Sequence, residues 1–193
     1  MSRWNPFRRD PDEAGAEQLY AAVIAQARRP AFYGAAGVPD SLDGRFELVA
    51  LHVYLVLRRL KGADLPAQAL AQGLVDLFFA DMDASLREMG AGDLGVGKRV
   101  QRMAAGFYGR VAAYDGANAP GGIAEALKRN LYGTVAASAA QIAAMAAYFS
   151  RAQALVDALP LAEIAAGRLR FPDPPEPASL VPPAAPAGHE LQP

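Results

Sequence analysis

Two overlapping glycine patterns lie near the middle of the chain. Gly92 to Lys98 reads G-x-x-x-x-G-K, and Gly90 to Gly95 reads G-x-G-x-x-G. Both strings can cradle phosphate through backbone N–H groups at a helix start, and the first adds a lysine. That chemistry needs a strand that delivers the glycines onto the helix. The segment before them, from Asp76 to Glu88, is acidic and helix-patterned instead. Arg99 stands where a phosphate loop places the Ser or Thr that holds magnesium. The expectation is a helix ending at Gly90, a short turn, and a second helix starting near Val96, with no nucleotide site.

Other chemistry is equally thin. Asp81 and Asp83 form D-x-D, with Asp76 upstream. On a helix, residues two apart point about 200° from each other, so Asp81 and Asp83 do not make one site. Asp76 and Asp83 share a face, but a hard divalent cation wants several oxygen ligands. A prenyl-transfer helix would need a second acidic cluster, and the sequence has none. His189 lies near the C-terminus, and His52 sits in the most apolar stretch, where a core histidine with one hydrogen bond is expected. The chain has no Cys, which removes disulfides, thiolate ligands and Cys nucleophiles. No G-x-S-x-G elbow and no Ser–His–Asp arrangement is present. The residues support neither an enzyme nor a metal site.

The elements that would position any site read as helical. Hydrophobic residues make up 52% of the 193 positions, and Ala and long-chain helix formers dominate. Asp10-Pro11 with Glu13 marks a helix start, and Pro30 stops that helix after about Arg28. A connection runs from Ala31 to Asp40, and Ser41 can cap the next helix. Phe46, Val49, Val53, Val56 and Leu60 stripe that helix. Leu48, Leu51, Tyr54, Leu55 and Leu57 make it apolar on most sides, as befits the centre of a fold.

Pro66 opens a third helix with Leu70, Leu74, Leu77 and Phe78 on its core face. Val100, Met103, Phe107, Val111 and Tyr114 stripe a fourth. A turn at Asn118 to Gly122 precedes a short helix from Ile123 to Tyr132. Ile142, Met145, Phe149, Ala152, Val156 and Leu159 form a tightly packed seam, and a last short helix covers Leu161 to Ala166. The reading is all-α, one compact domain of about six to seven helices over residues 11–170. Residues 1–10 form a flexible arm with Trp4, Phe7 and three arginines, and the Pro-rich 171–193 forms a disordered tail.

The formal net charge of −1 gives no global field toward nucleic acid, and no nucleic-acid sequence recognition is expected. The N-terminus has no apolar stretch of signal-peptide length, which suits a cytoplasmic protein. Asn130 to Ser150 contains no charge and approaches the roughly 20 residues that span a bilayer. It is rich in Ala and carries several polar residues, so a loop and a buried helix are expected there.

The charges around the central turn are the remaining candidates. Asp81, Asp83 and Glu88 precede it, Asp93 sits in it, and Lys98, Arg99 and Arg102 come after it. Cations at a helix start oppose its dipole, so an acid or an external anion should compensate them. Either these groups form an internal ion-pair network, or they dock an acidic partner or lipid headgroup. Tyr108 on the next turns would add an aromatic anchor.

The run from Asp76 to Arg110, DLFFADMDASLREMGAGDLGVGKRVQRMAAGFYGR, resembles the signature block of the ubiquinol–cytochrome c chaperone family. A second block fits the same family: Arg29-Pro-Ala-Phe-Tyr33, then Gly37-Val-Pro-Asp-Ser-Leu-Asp-Gly-Arg-Phe46, then Leu51-His52-Val-Tyr54 through Arg59. The resemblance spans about Leu19 to Phe171. It implies a non-catalytic assembly factor without a cofactor, which binds newly made cytochrome b and supports respiratory complex III. It also implies work at the cytoplasmic face of the membrane, with a small helper protein, the ribosome or the membrane surface as further partners. Two other readings stand beside it: a helical enzyme on an isoprenoid or quinone-type substrate, and a generic helical protein-binding scaffold.

Overall fold

The computed structural model describes the backbone of residues 11–88, 93–117 and 119–176, and the side chains of 14–88, 100–117 and 119–176. Among these residues eight helices form and no strand does. They are α1 (Pro11–Ala27), α2 (Pro30–Tyr33), α3 (Leu42–Leu60), α4 (Leu65–Glu88), α5 (Asp93–Asp115), α6 (Gly122–Asn130), α7 (Ala139–Ala158) and α8 (Leu161–Ala165). The chain is all-α.

Local chemistry sets the helix starts. The Ser41 hydroxyl accepts from the Gly44 N–H at 3.2 Å, and the Asp64 carboxylate accepts from the Ala67 N–H at 3.2 Å. At α7, Ser138 and Gln141 form a full capping box. Arg58 and Arg59 close α3, and Lys128 and Arg129 close α6, where cations favour the dipole.

Every residue from Phe46 to Val56 on α3 is buried. A helix that is apolar nearly all round must be enclosed, and α1, α4, α5 and α7 all pack on it. α1 runs parallel to α4: Gly15 lies beside Leu70, Ala16 beside Gly73, and the Tyr20 hydroxyl reaches Asp81. Gly15 also lets α8 approach α1, because a Cβ there would stand 2.5 Å from the Ala165 carbonyl oxygen. Phe46, Phe78 and Phe107 join α3, α4 and α5, with ring centroids 5.7 and 5.2 Å apart in succession. Tyr54, Tyr114 and Phe149 join α3, α5 and α7 in the same way. The α7 seam is as its spacing suggests, with Met145, Phe149, Ala152 and Val156 buried and Ile142 and Leu159 partly so at its ends.

Several boundaries differ from the sequence expectation. Pro30 ends one helix but also opens the four-residue α2, where a plain connection was expected. Its fixed φ suits the first helical position, the Gly34 N–H closes the turn on the Pro30 carbonyl, and buried Phe32 pins it. α5 begins at Asp93 rather than near Val96, so Lys98 and Arg99 fall in its second turn. α6 ends at Asn130, and Tyr132 turns inward to donate to the Ala36 carbonyl at 2.7 Å. Residues 131–138 are the loop expected within the uncharged stretch, and among the described residues no helix is long and apolar enough to cross a membrane.

The largest correction concerns the segment from Phe171 to Glu176. Expected as the start of a tail, it packs on the domain. The Phe171 ring meets the His52 ring edge-on at 4.8 Å. The Pro172 carbonyl accepts from Gln26 at 2.8 Å, Asp173 pairs with Arg29 at 2.6 Å, and Pro174 and Pro175 are buried. Proline richness argued against a core of its own, but an extended proline strand needs no internal hydrogen bonds and can lie in a seam between helices. Residues 1–10 and 177–193, the expected arm and the rest of the expected tail, lie outside the described residues.

Beneath this strap runs a buried polar chain. The Nδ1–H of His52 donates to the Leu48 carbonyl at 2.7 Å. Its unprotonated Nε2 therefore accepts from the Tyr148 hydroxyl at 2.6 Å, and that oxygen accepts from Gln26 at 2.9 Å. His52 is a core histidine, with two hydrogen bonds rather than one. Burial lowers its pKa from 6.5 to about 4.

Truncation after Arg170, or Phe171→Ala, should cost about 2 kcal/mol or more, roughly 5 °C in melting temperature, as read by thermal denaturation. An unchanged Tm would mean that the strap adds nothing to stability. Between pH 6.5 and about 4 the unfolded chain takes up a His52 proton that the native chain refuses. Stability should therefore be lost as pH falls through that window, by up to about 3 kcal/mol from this group. Urea unfolding at pH 7 and 4.5 should show that pH dependence reduced in His52→Gln; equal dependence in both proteins would place the histidine in solvent.

Candidate functional site

Three grooves open on the surface around α3, α4 and α5. The first, of about 710 Å³, lies between α1, α3 and α4. Ile24, Leu42, Phe46, Val49 and Met82 give it an apolar lining, and Arg28, Arg45, Asp40, Asp81 and Glu88 rim it. The second, of about 510 Å³, lies between the start of α3, α5 and the end of α6. Leu86 and Met103 line it with Arg102, Arg110, Arg129, Asp43 and Glu47. Leu42 and Phe46 line both grooves, so the two meet over the first turns of α3. Those turns start at the Ser41 cap, and Gly44 lets them press on the preceding loop, since a Cβ there would stand 2.0 Å from the Pro39 carbonyl oxygen.

The third groove, of about 380 Å³, lies on the other side of α5 and is separate from these two. Leu57, Ala71, Val75, Phe107, Tyr108 and Val111 line it. Its rim is internally neutralised: Lys61 pairs with Asp115 at 3.1 Å, and Arg58 with Asp157 at 2.6 Å.

The charges expected around the central turn are divided among these surfaces. Asp81 faces the first groove and accepts from Tyr20 at 2.7 Å; burial and this bond together raise the Tyr20 pKa. Glu88 rims the same groove. Asp83 forms an i,i+4 pair with Arg87 at 2.6 Å within α4. Arg102 faces the second groove, and Tyr108 the third, where it is 60% exposed. The side chains of Asp93, Lys98 and Arg99 lie outside the described residues.

One element that the spacing did not single out is Glu47. It is a buried acid on the most apolar helix, and Arg110 of α5 grips both its oxygens, with Nε on Oε2 at 2.5 Å. Arg110 also donates to the Gly106 carbonyl at 2.8 Å and lies over the Phe46 ring at 5.1 Å. Burial pushes the Glu47 carboxyl above its ordinary value, against the pull of Arg110. The pair fixes α5 on α3 where the second groove begins. Arg28, Arg45, Arg129, Phe46 and Met82 were likewise missed as site residues. The sequence signal for Glu47 was a single acid inside an apolar run; the rest needed the fold.

The arrangement is suited to binding. Both ring nitrogens of His52 are engaged inside the core, so the imidazole reaches no groove. Among the described residues no group of three or more His, Asp or Glu side chains is placed to hold a metal.

Comparison with known proteins agrees with the two sequence blocks. The family model for the ubiquinol-cytochrome C chaperone matches residues 35–171. The match begins after Leu19, where the resemblance was read to start, and ends at the same Phe171. No curated protein matches the chain. The crystal structure of the Cbp3 homolog from Brucella abortus is similar, with a TM-score of 0.76, 37% identity, and coverage of 84% of this chain and 91% of that one. The chain belongs to the ubiquinol–cytochrome c chaperone family.

Proposed function

We propose that the protein is a non-catalytic assembly factor that holds newly made cytochrome b while ubiquinol–cytochrome c reductase is built. The joined first and second grooves are the docking surface. The observation that carries this reading is their apolar floor, Ile24, Leu42, Phe46, Val49, Met82 and Leu86, drawn largely from the two segments that carry the family resemblance. A groove of this kind accepts the apolar face of a client helix. Asp81, Glu88 and Arg102 then belong to its rim.

The site of action in this proposal is the cytoplasmic face of the membrane, where a client must be held before insertion. A small helper protein, the ribosome or the membrane surface would make further contacts, and the groove beside Tyr108 is open to one of them. The enzyme reading gains nothing from the side-chain geometry. Asp83 is paired with Arg87 and Asp81 bonded by Tyr20, so the two acids of D-x-D serve different neighbours.

Deleting the gene should lower cytochrome b and complex III while leaving their transcripts unchanged. Haem b spectra and quinol–cytochrome c reductase assays read this, and normal values would sink the assembly role. Ile24→Asp with Leu42→Asp should reduce cytochrome b capture at least about tenfold, equivalent to about 1.4 kcal/mol. Both positions are only partly buried, so circular dichroism should remain that of the folded protein. Full capture by the folded double variant would move the docking surface elsewhere, with the Tyr108 groove the next to test.

A further inference from the structure

The double groove has an electrical direction. In the first groove Arg45 is consumed by Asp40 at 2.7 Å, which leaves Asp81 and Glu88 against Arg28. In the second, Arg110 is consumed by Glu47, which leaves Arg102 and Arg129 against Asp43. Arg28, Asp43, Glu88, Arg102 and Arg129 form no ion pair among the described residues. Among the described residues the first groove therefore carries an excess of acid and the second an excess of base, with the apolar saddle of Leu42 and Phe46 between them. Asp43 lies in the first turn of α3 and Arg129 in the last turn of α6, so a helix dipole offsets part of the charge of each and Arg102 keeps its own.

From this polarity we propose that the cradle binds its occupant in one direction. The occupant is an apolar-faced helix whose N-terminal flank carries Lys or Arg and whose C-terminal flank carries Asp or Glu. Its N-terminus lies at Asp81 and Glu88, and its C-terminus lies at Arg102 and Arg129. The dipole of the bound helix acts in the same sense, since its positive end meets the carboxylates and its negative end meets the guanidinium groups. Complementary charge of this kind selects register and suppresses the reversed mode, in which like charges meet. This inference rests on the joined grooves being the docking surface and adds the polarity of the segment they take.

Two synthetic peptides with the same apolar centre test it on the full-length chain. One has a Lys pair at its N-terminus and a Glu pair at its C-terminus, and the other has the flanks exchanged. The first is the weaker helix in isolation, because its flanks oppose its own dipole, so any preference for it must come from the protein. Fluorescence anisotropy at low salt should show it binding at least about tenfold more tightly, with the ratio falling toward one near 1 M salt, where screening acts within about 3 Å. The variant Glu88→Lys, Arg102→Glu, Arg129→Glu alters three exposed side chains and should invert the preference. The milder Arg102→Gln, Arg129→Gln should flatten it if the charge reversal perturbs folding.

Equal affinity of the two peptides for the wild type, or a preference that both variants leave unchanged, overturns the proposal. So does loss of binding to phosphatidylglycerol vesicles in the variants while the peptide preference persists, since the arginines would then serve lipid headgroups. Cytochrome b capture is measured on the same variants. Inverted peptide preference with undiminished capture would keep the oriented cradle and reject cytochrome b as its occupant. Lost capture with no peptide preference would keep the client and reject the orientation.

Discussion

The hydrogen-bonded chain from the Pro172 carbonyl through Gln26, Tyr148 and His52 to the Leu48 carbonyl is the constraint on which the rest of the structure depends. It joins α1, α3, α7 and the C-terminal strap inside an apolar interior. Each polar atom in it has a partner, and only as a complete set is it tolerable there, because a buried donor or acceptor left alone costs about 1–3 kcal/mol. The direction of each bond is also determined. A carbonyl can only accept, so Nδ1 must carry the proton, Nε2 must accept, and Tyr148 must donate inward while accepting from Gln26. Phe32 packs edge-on against the His52 and Tyr148 rings of this chain, and Phe171 packs edge-on against His52.

The grooves are the outward consequence of that fixed interior. Once α3 is held by His52 and its neighbours, its first two turns project between α1, α4 and α5, and Leu42 and Phe46 become the saddle of a continuous cradle. The Glu47–Arg110 pair sets the far wall. Such a pair is costly to bury unless both partners are fully used. Here the carboxylate uses both oxygens, and the guanidinium also bonds Gly106 and stacks on Phe46. The same pair removes two charges from the cradle and leaves the polarity of the remaining ones exposed.

Membership in the ubiquinol–cytochrome c chaperone family accords with this division of labour. The buried His52 is spent on architecture, and Asp81, Glu88, Arg102 and Arg129 lie along the grooves. Gly95, Gly97 and Lys98 of the glycine patterns lie inside α5, and the element before α5 is the helix α4, whereas a phosphate-binding loop connects a strand to a helix.

Much was determined by the sequence alone. Helical periodicity, prolines at helix starts, the Ser41 cap and the almost wholly apolar stretch around Val53 specify an all-α domain with α3 at its centre, because these signals act within a few residues of chain. Two long sequence blocks also indicated the family. Only the tertiary structure decided which partners meet across long separations. The strap from Phe171 reads as a tail by composition, since proline content reports what a segment cannot do alone and is silent about a seam prepared by α1, α3 and α7. Glu47 reads as an isolated acid until Arg110 arrives from 63 residues away. Of the charged and aromatic residues named around the central turn, Asp81 and Glu88 line one groove, Arg102 the groove that joins it, and Tyr108 a third, while Asp83 pairs with Arg87. On a helix, consecutive side chains fan around the axis, and it is the fold that gathers Ile24, Leu42, Phe46 and Met82 into one lining.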